Sequence, residues 1–305
     1  MLRKQSKSDN KKTGLNIVEP YAFALSLRAV KSFQPANIAP NAGLQLATMI
    51  EGIPIVIEVS TTPKTSGIVM SARPKAESSQ ISRIVEWVLF TELDLKPFYR
   101  LVSRDAKLRL LTGKLHGLKP IRPVSLFEMA VIAITEQQIS LAAAYRLRSR
   151  FVERFGIPIE KLWVFPEPEI LARAPLSDLK SCGLSQQKAQ YIHDLASKID
   201  HGTIDLDILK TLDDDKARET IMNLRGFGRW SADYILARGL ARPDCVPVDD
   251  LGIRSVVGEY MGNGQRLSPI EVTEKLEPFR PYRGLLAFYL LANHRLNLKF
   301  DTNKL

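Results

Sequence analysis

A chain of 305 residues, 45% of them hydrophobic, is long enough for two or three subdomains with buried cores. No apolar run approaches the roughly 20 residues of a membrane helix, and the two cysteines, Cys182 and Cys245, are too far apart to suggest a disulfide framework or a zinc site. The net charge of +10 suits a polyanion partner, although +4 of it lies in residues 1–14 and many basic proteins bind no nucleic acid.

Residues 1–14 read as a disordered basic tail, without the apolar core of a secretory signal. Residues 15–122 read as an N-terminal α/β domain. Its first part, residues 15–74, is expected to be mostly β: Leu44 and Leu46 alternate, as do Ile53, Ile55, Ile57 and Val59, Gly52 and Gly67 mark turns, and Ile68–Met70 is a further short strand. Ile81, Ile84, Val85, Val88 and Leu89 then share one face of a helix over 77–90. Residues 97–122 hold seven basic residues against one acidic; Leu101, Leu108 and Leu111 are placed inward and Arg104, Lys107 and Lys114 outward, as on a solvated helix face.

Residues 123–298 are expected to be almost all helical, and 299–305 a C-terminal tail. Ser125 and Glu128 form a capping box before the apolar Met129, Ile132 and Ala133. Glu136-Gln137-Gln138-Ile139-Ser140 places polar amides between apolar helices, read either as a turn or as part of a site. The helix from Ser140 to Phe155 is decorated by Arg146, Arg148, Arg150 and Arg154. A short helix, a stop at Gly183 and an amphipathic helix through Ala189, Ile192, Leu195 and Ile199 follow; His116 and His193 have no partner at metal-ligand spacing. Asp213-Asp214-Asp215 caps the next helix. Beyond residue 250, Ile253, Val256 and Val257 continue a buried helix, Ser268-Pro269-Ile270-Glu271 is a second capping box, and Pro281–Leu296 is a strongly apolar last helix.

The stretch from Leu224 to Asp250, LRGFGRWSADYILARGLARPDCVPVDD, is the most informative. Gly226-Phe227-Gly228 breaks one helix and starts another, a tight hairpin. The unpaired N–H groups of the second helix and its dipole favour a phosphate there. One helix later come two adjacent carboxylates, Asp249 and Asp250; one of two aspartates at a helix start is normally a cap, and the other is free for chemistry.

These residues resemble the helix–hairpin–helix and Gly/Pro/Asp motif of the DNA glycosylase superfamily. The pattern L-x-G-x-G-x-W-[ST]-A followed by proline and aspartate, with Trp230 and Asp250 twenty residues apart, is similar to the alkylation-repair branch, 3-methyladenine DNA glycosylase II. The fragment CGLSQQKAQYI resembles a second element of that family. The resemblance spans residues 15–298 and implies an α+β fold: a small antiparallel β domain, then a helical body of two subdomains. It implies a monofunctional enzyme that flips an alkylated purine (3-methyladenine or 7-methylguanine type) out of double-stranded DNA and hydrolyses its N-glycosidic bond, starting base-excision repair.

In that reading Asp250 is catalytic and Asp249 a cap or a solvent-facing residue. Trp230 stands where strand-cutting branches carry a Schiff-base lysine, so no lyase activity is expected. Trp230, Tyr234, Phe288 and Gln137 form the base pocket, and a further pocket phenylalanine of the family falls near Ala24, beside Phe23. Gly226, Phe227, Gly228 and Arg229 hold DNA, and Gln138 is the wedge that fills the gap left by the base. Backbone carbonyls of Met222, Leu224 and Phe227 match a family site for a monovalent cation. No iron–sulfur cluster is expected, because two cysteines cannot supply four ligands. The protein is expected to be monomeric, cytoplasmic and nucleoid-associated or nuclear, and bound to no membrane. Two alternatives stay open: a glycosylase for oxidised or deaminated bases, and a non-catalytic helix–hairpin–helix DNA-binding module, which would need neither Asp250 nor Trp230.

Overall fold

The computed structural model describes residues 15–33, 37–40, 43–61 and 68–298. The two tails and Gly67 lie outside the described residues. The first element departs from expectation: helix α1 (Phe23–Phe33) precedes the sheet within 15–74. Its buried positions Phe23, Ser26, Ala29 and Val30 recur at three- and four-residue spacing, which suits a helix.

The sheet is an antiparallel meander of β1 (Ile38–Pro40), β2 (Leu44–Ile50), β3 (Ile53–Thr61) and β4 (Ile68–Arg73). Leu46 pairs with Ile57, so the alternating residues read from sequence share a face. That face packs on α2 (Ser78–Leu89) through Ile81, Val85 and Val88. Ile53, counted among the inward residues, is 51% exposed because it lies directly after the Glu51-Gly52 turn. Ala47 and Val56 on the other face are also buried.

Helices α3 (Lys96–Val102) and α4 (Ala106–Lys114) follow. Leu108 and Leu111 are buried and Arg104 and Lys114 exposed, as expected, whereas Leu101 is only half-buried. The apolar faces of α3 and α4 join the core of the last helices, not that of the sheet, although both lie in the stretch read as the N-terminal domain.

The next run is α5 (Leu126–Glu136), α6 (Leu141–Phe155), the small hairpin β5 (Ile157–Ile159) and β6 (Leu162–Val164), then α7 (Pro168–Arg173), α8 (Leu176–Ser181), α9 (Gln186–Asp200), α10 (Asp214–Met222) and α11 (Arg229–Tyr234). These helices, from α5 to α11, share one core. Helices α12 (Leu251–Met261), α13 (Pro269–Leu276) and α14 (Arg283–Arg295) complete a second core with α3 and α4. The helical body therefore has two cores, and the chain passes between them through the hairpin region and residue 250.

Of the two expected capping boxes, the one at Ser268 and Glu271 is complete. The one at Ser125 is half-formed. Ser125 accepts from Glu128 N, but the Glu128 side chain is fully buried and accepts from Asn37 Nδ2 and Val124 N. Burial pushes the Glu128 carboxyl up to about 7. Its Oε1 and the Oδ1 of Asn37 have no hydrogen-bond partner.

Candidate active site

The hairpin joins α10 to α11. Asp213 caps α10, as its position in the acidic triplet predicts. Gly226 sits at φ +92°, and a Cβ there would lie 2.4 Å from the Tyr191 ring, so both conformation and space require glycine. Gly228 differs: its φ of −102° is ordinary, but nothing lies within 4 Å of its missing Cβ. It leaves the start of α11 open to an approaching strand. Phe227 is buried in the core and pins the loop between them. Helix α11 continues through a π turn at Ile235–Gly239, where Met129 crosses so closely that a Cβ on Gly239 would lie 2.7 Å from its Cγ.

The other DNA-facing candidates fall around this loop. Arg229 Nε is 2.7 Å from Asp233 Oδ2, yet its side chain stays 61% exposed. Buried Asp233 also holds Arg218, at 2.6 Å. Gln137 donates from Nε2 to Gly226 O at 2.8 Å and to Ser231 Oγ at 3.1 Å, tying the α5–α6 turn to the hairpin. Gln138 is exposed at φ +55° on the rim, beside exposed Ile139 and Leu141. Lys188 Nζ donates to the carbonyls of Thr135 and Gln137, closing the end of α5, and burial lowers its pKa.

A cavity of about 1020 Å³ opens beside the hairpin. It lies at the upper end of the roughly 300–1,000 Å³ of small-molecule pockets. Trp230, Tyr234, Phe288, Gln137, Gln138 and Asp250 all line it, so the structure brings together the pocket residues taken from the sequence. The Trp230 and Tyr234 rings stack with centroids 5.0 Å apart and planes 18° apart. Phe288 is buried and meets Tyr289 edge-on. The N-terminal wall differs from expectation. Phe23 is buried in the sheet's core and Ala24 is exposed; Ala29 and Val30, further along α1, reach the cavity instead.

Of the two roles read for Asp249, cap or solvent-facing residue, the structure shows the second. Asp250 itself is the N-cap of α12: its Oδ1 accepts from Gly252 N at 2.8 Å and Ile253 N at 3.0 Å. Capping requires the residue directly before the first helical one, Leu251, and Asp249 lies one position too early. Asp249 is exposed at the cavity's edge. The cap uses only one oxygen of the Asp250 carboxylate. The other, Oδ2, accepts from Trp230 Nε1 at 3.3 Å. One carboxylate is thus fixed at the positive end of a helix, against the aromatic wall.

The far side of the cavity was not legible in the sequence. Arg148, expected among the surface arginines of α6, is 5% exposed and binds Glu136 Oε1 at 2.6 Å. Tyr234 donates its hydroxyl to Glu136 Oε2 at 2.8 Å. Tyr145, Arg238 and Arg295 line the same region. Burial pushes the Tyr234 phenol far above its ordinary value and lowers that of Arg238. These residues come from four helices with no common spacing. The one available signal was Glu136, an acidic residue at the end of the mainly apolar α5.

Residues 131–281 match the HhH-GPD superfamily of base excision DNA repair proteins. A DNA-3-methyladenine glycosylase of Bacillus subtilis (strain 168) is 32% identical over 214 residues, 69% of this chain and 70% of that protein. The chain belongs to the DNA-3-methyladenine glycosylase branch of the HhH-GPD superfamily. The solved structure of a 3-methyladenine DNA-glycosylase from Archaeoglobus fulgidus matches this glycosylase with a TM-score of 0.81 and 27% identity, over 92% of this chain and 97% of that one. The fold is shared with the 3-methyladenine DNA glycosylase Mag1 of Schizosaccharomyces pombe in complex with abasic DNA (TM-score 0.58, 23% identity, 68% and 100% coverage). Both cysteines of this glycosylase are free and buried, and no described helix is long and apolar enough to cross a membrane.

Proposed function

We propose that this enzyme hydrolyses the N-glycosidic bond of alkylated purines of the 3-methyladenine and 7-methylguanine type in double-stranded DNA, and so starts base-excision repair. The observation that carries the reading is the Asp250 carboxylate, held by two backbone N–H groups and the Trp230 indole at the wall of a cavity large enough for a purine.

The residues divide the work as follows. The open backbone at Gly226–Gly228 and the first N–H groups of α11 grip a phosphate, with Arg229 beside them. The grip presents a nucleotide that must leave the duplex before its sugar can be reached. Gln138 and its apolar neighbours at the rim fill the vacated space. The base enters along the Trp230–Tyr234 face; an N-methylated purine is cationic, and an electron-rich ring attracts it by roughly 0.5–2 kcal/mol. As the C1′–N bond breaks, its electron pair goes to the base, which leaves neutral. The sugar becomes an oxocarbenium-like cation, and the Asp250 carboxylate stabilises that charge. Water adds at C1′ and gives up a proton, which Asp250 accepts.

Trp230 occupies the place of a Schiff-base lysine, and nearby Lys188 is committed to two α5 carbonyls, so the product is an intact strand with an abasic site. By the family resemblance, the carbonyls of Met222, Leu224 and Phe227 would hold a monovalent cation; Leu224 O, which accepts from Phe227 N, has a second lone pair for it. Bound there, it would link the hairpin to the phosphate. The enzyme works as a monomer, in the compartment that holds the genome.

Incubation with methylated DNA tests the proposal. Free 3-methyladenine or 7-methylguanine, with strand breaks appearing only after alkali, is the expected result. Spontaneous strand cutting means a lyase, release of oxidised or deaminated bases alone means a different pocket specificity, and no release of any base means a DNA grip without chemistry.

A further inference from the structure

Four contacts run in series from a buried ion pair to the reacting carboxylate. Arg148 Nη1 binds Glu136 Oε1 at 2.6 Å, with side chains only 6% and 11% exposed. Tyr234 donates its hydroxyl to Glu136 Oε2 at 2.8 Å. The Tyr234 ring stacks on Trp230, and Trp230 Nε1 donates to Asp250 Oδ2 at 3.3 Å. We propose that Glu136 is a positioning residue for base excision: by anchoring the Tyr234 hydroxyl it fixes the Trp230 plane, and through the indole it sets the orientation of Asp250 Oδ2. The proposal rests on the glycosylase reading above and deepens it.

Stacking alone does not fix such a wall, since two rings in face contact slide and tilt at small cost. A hydroxyl bonded at the far edge of one ring removes that freedom. The last link is the most sensitive. At 3.3 Å the indole hydrogen bond is already at the long end of the usual range, so a shift of a few tenths of an ångström loses it. The other carboxylate oxygen is held by the backbone of α12, which leaves the indole as the partner that decides where Oδ2 points. Glu136 in turn is held by Arg148 from a different helix, with little of either side chain exposed. The Tyr234 phenol keeps its proton over the whole working range, because burial raises its pKa far above neutrality; the donor is always present. A merely structural Glu136 would neutralise Arg148 and do nothing to the chemistry.

The test uses Tyr234→Phe, Glu136→Gln and the double variant of the full chain. Tyr234→Phe removes the anchoring hydroxyl and leaves the Glu136–Arg148 pair intact, so it stands even if Glu136→Gln folds poorly. Two readouts are taken. The first is single-turnover release of 7-methylguanine, beside the affinity for abasic-site DNA. The second is the indole N–H resonance of Trp230 in protein labelled at tryptophan nitrogen, assigned with Trp230→Phe. Each single variant is expected to lose roughly tenfold or more in release rate, the double variant no more than either single, and abasic-DNA affinity to stay within about twofold. The Trp230 resonance is expected to shift in both single variants. A wild-type release rate in Tyr234→Phe, losses that multiply in the double variant, or an unmoved Trp230 resonance would overturn the proposal. The resonance is read without substrate, so it judges the positioning chain even if the wild-type protein releases no base and the glycosylase reading is the part that fails.

Discussion

The hairpin and the far wall of the cavity are built in opposite ways. The hairpin is made of backbone: Gly226 for a left-handed turn against Tyr191, Gly228 for an open approach and Phe227 as a buried pin, all within three residues. The far wall is made of side chains, Glu136, Tyr145, Arg148, Tyr234, Arg238 and Arg295, drawn from several separate helices. The first construction demands glycine at Gly226, where φ is positive and the Tyr191 ring lies close; in the function proposed above it would hold any DNA phosphate. The second would act on the one nucleotide delivered, and many side-chain sets could fill the same space.

The comparison makes separable predictions. Gly226→Ala should damage the grip most. An L-residue at φ +92° costs roughly 1–3 kcal/mol. The clash with Tyr191 adds to it, and affinity for abasic-site DNA should fall tenfold or more. Unchanged affinity by fluorescence anisotropy would mean the hairpin is not the grip.

Glu128→Gln probes the other construction, since Glu128 lies on α5, two turns before Glu136, and joins that helix to Asn37 of the sheet domain. Its folded pKa is about 7 against an ordinary 4.5. Between those values the native state holds a proton that the unfolded chain has released, so wild-type stability falls as pH rises through that window and levels off above it. The drop is roughly 3 kcal/mol. The glutamine variant should lack it, matching or exceeding the wild type at pH 8. Urea denaturation at pH 5 and pH 8 decides; identical pH dependence in both proteins would show that Glu128 is not the source.

Arg229→Gln should have the smallest effect. Asp233 already shares the Arg229 charge. Binding should weaken only a few-fold, with the slope of log affinity against log salt reduced by about 1. A titration series in salt measures it, and an unchanged slope would remove Arg229 from the phosphate contacts.

The same contrast explains how much was legible in the sequence. The hairpin, the Trp230–Asp250 spacing, the strands β2 and β3 and the cap at Ser268 are encoded by neighbouring residues, and local physics suffices for them. Helix α1 was missed because the strand alternation beyond it outweighed a weak helical pattern. Arg148 and Glu136 were missed because nothing in either segment announces a partner twelve residues away across a turn. The cap could be read onto Asp249 because two adjacent aspartates look alike in sequence; the structure puts it on one oxygen of Asp250 and leaves the other facing Trp230.

The most direct measurement is single-turnover base release by Asp250→Asn on methylated DNA, beside its affinity for abasic-site DNA. Asparagine still caps a helix, so the fold and the grip persist while the negative charge disappears. Release should fall by roughly 10²–10³-fold or more, at nearly unchanged DNA affinity. Release at the wild-type rate would show that the charge at residue 250 does not drive the reaction.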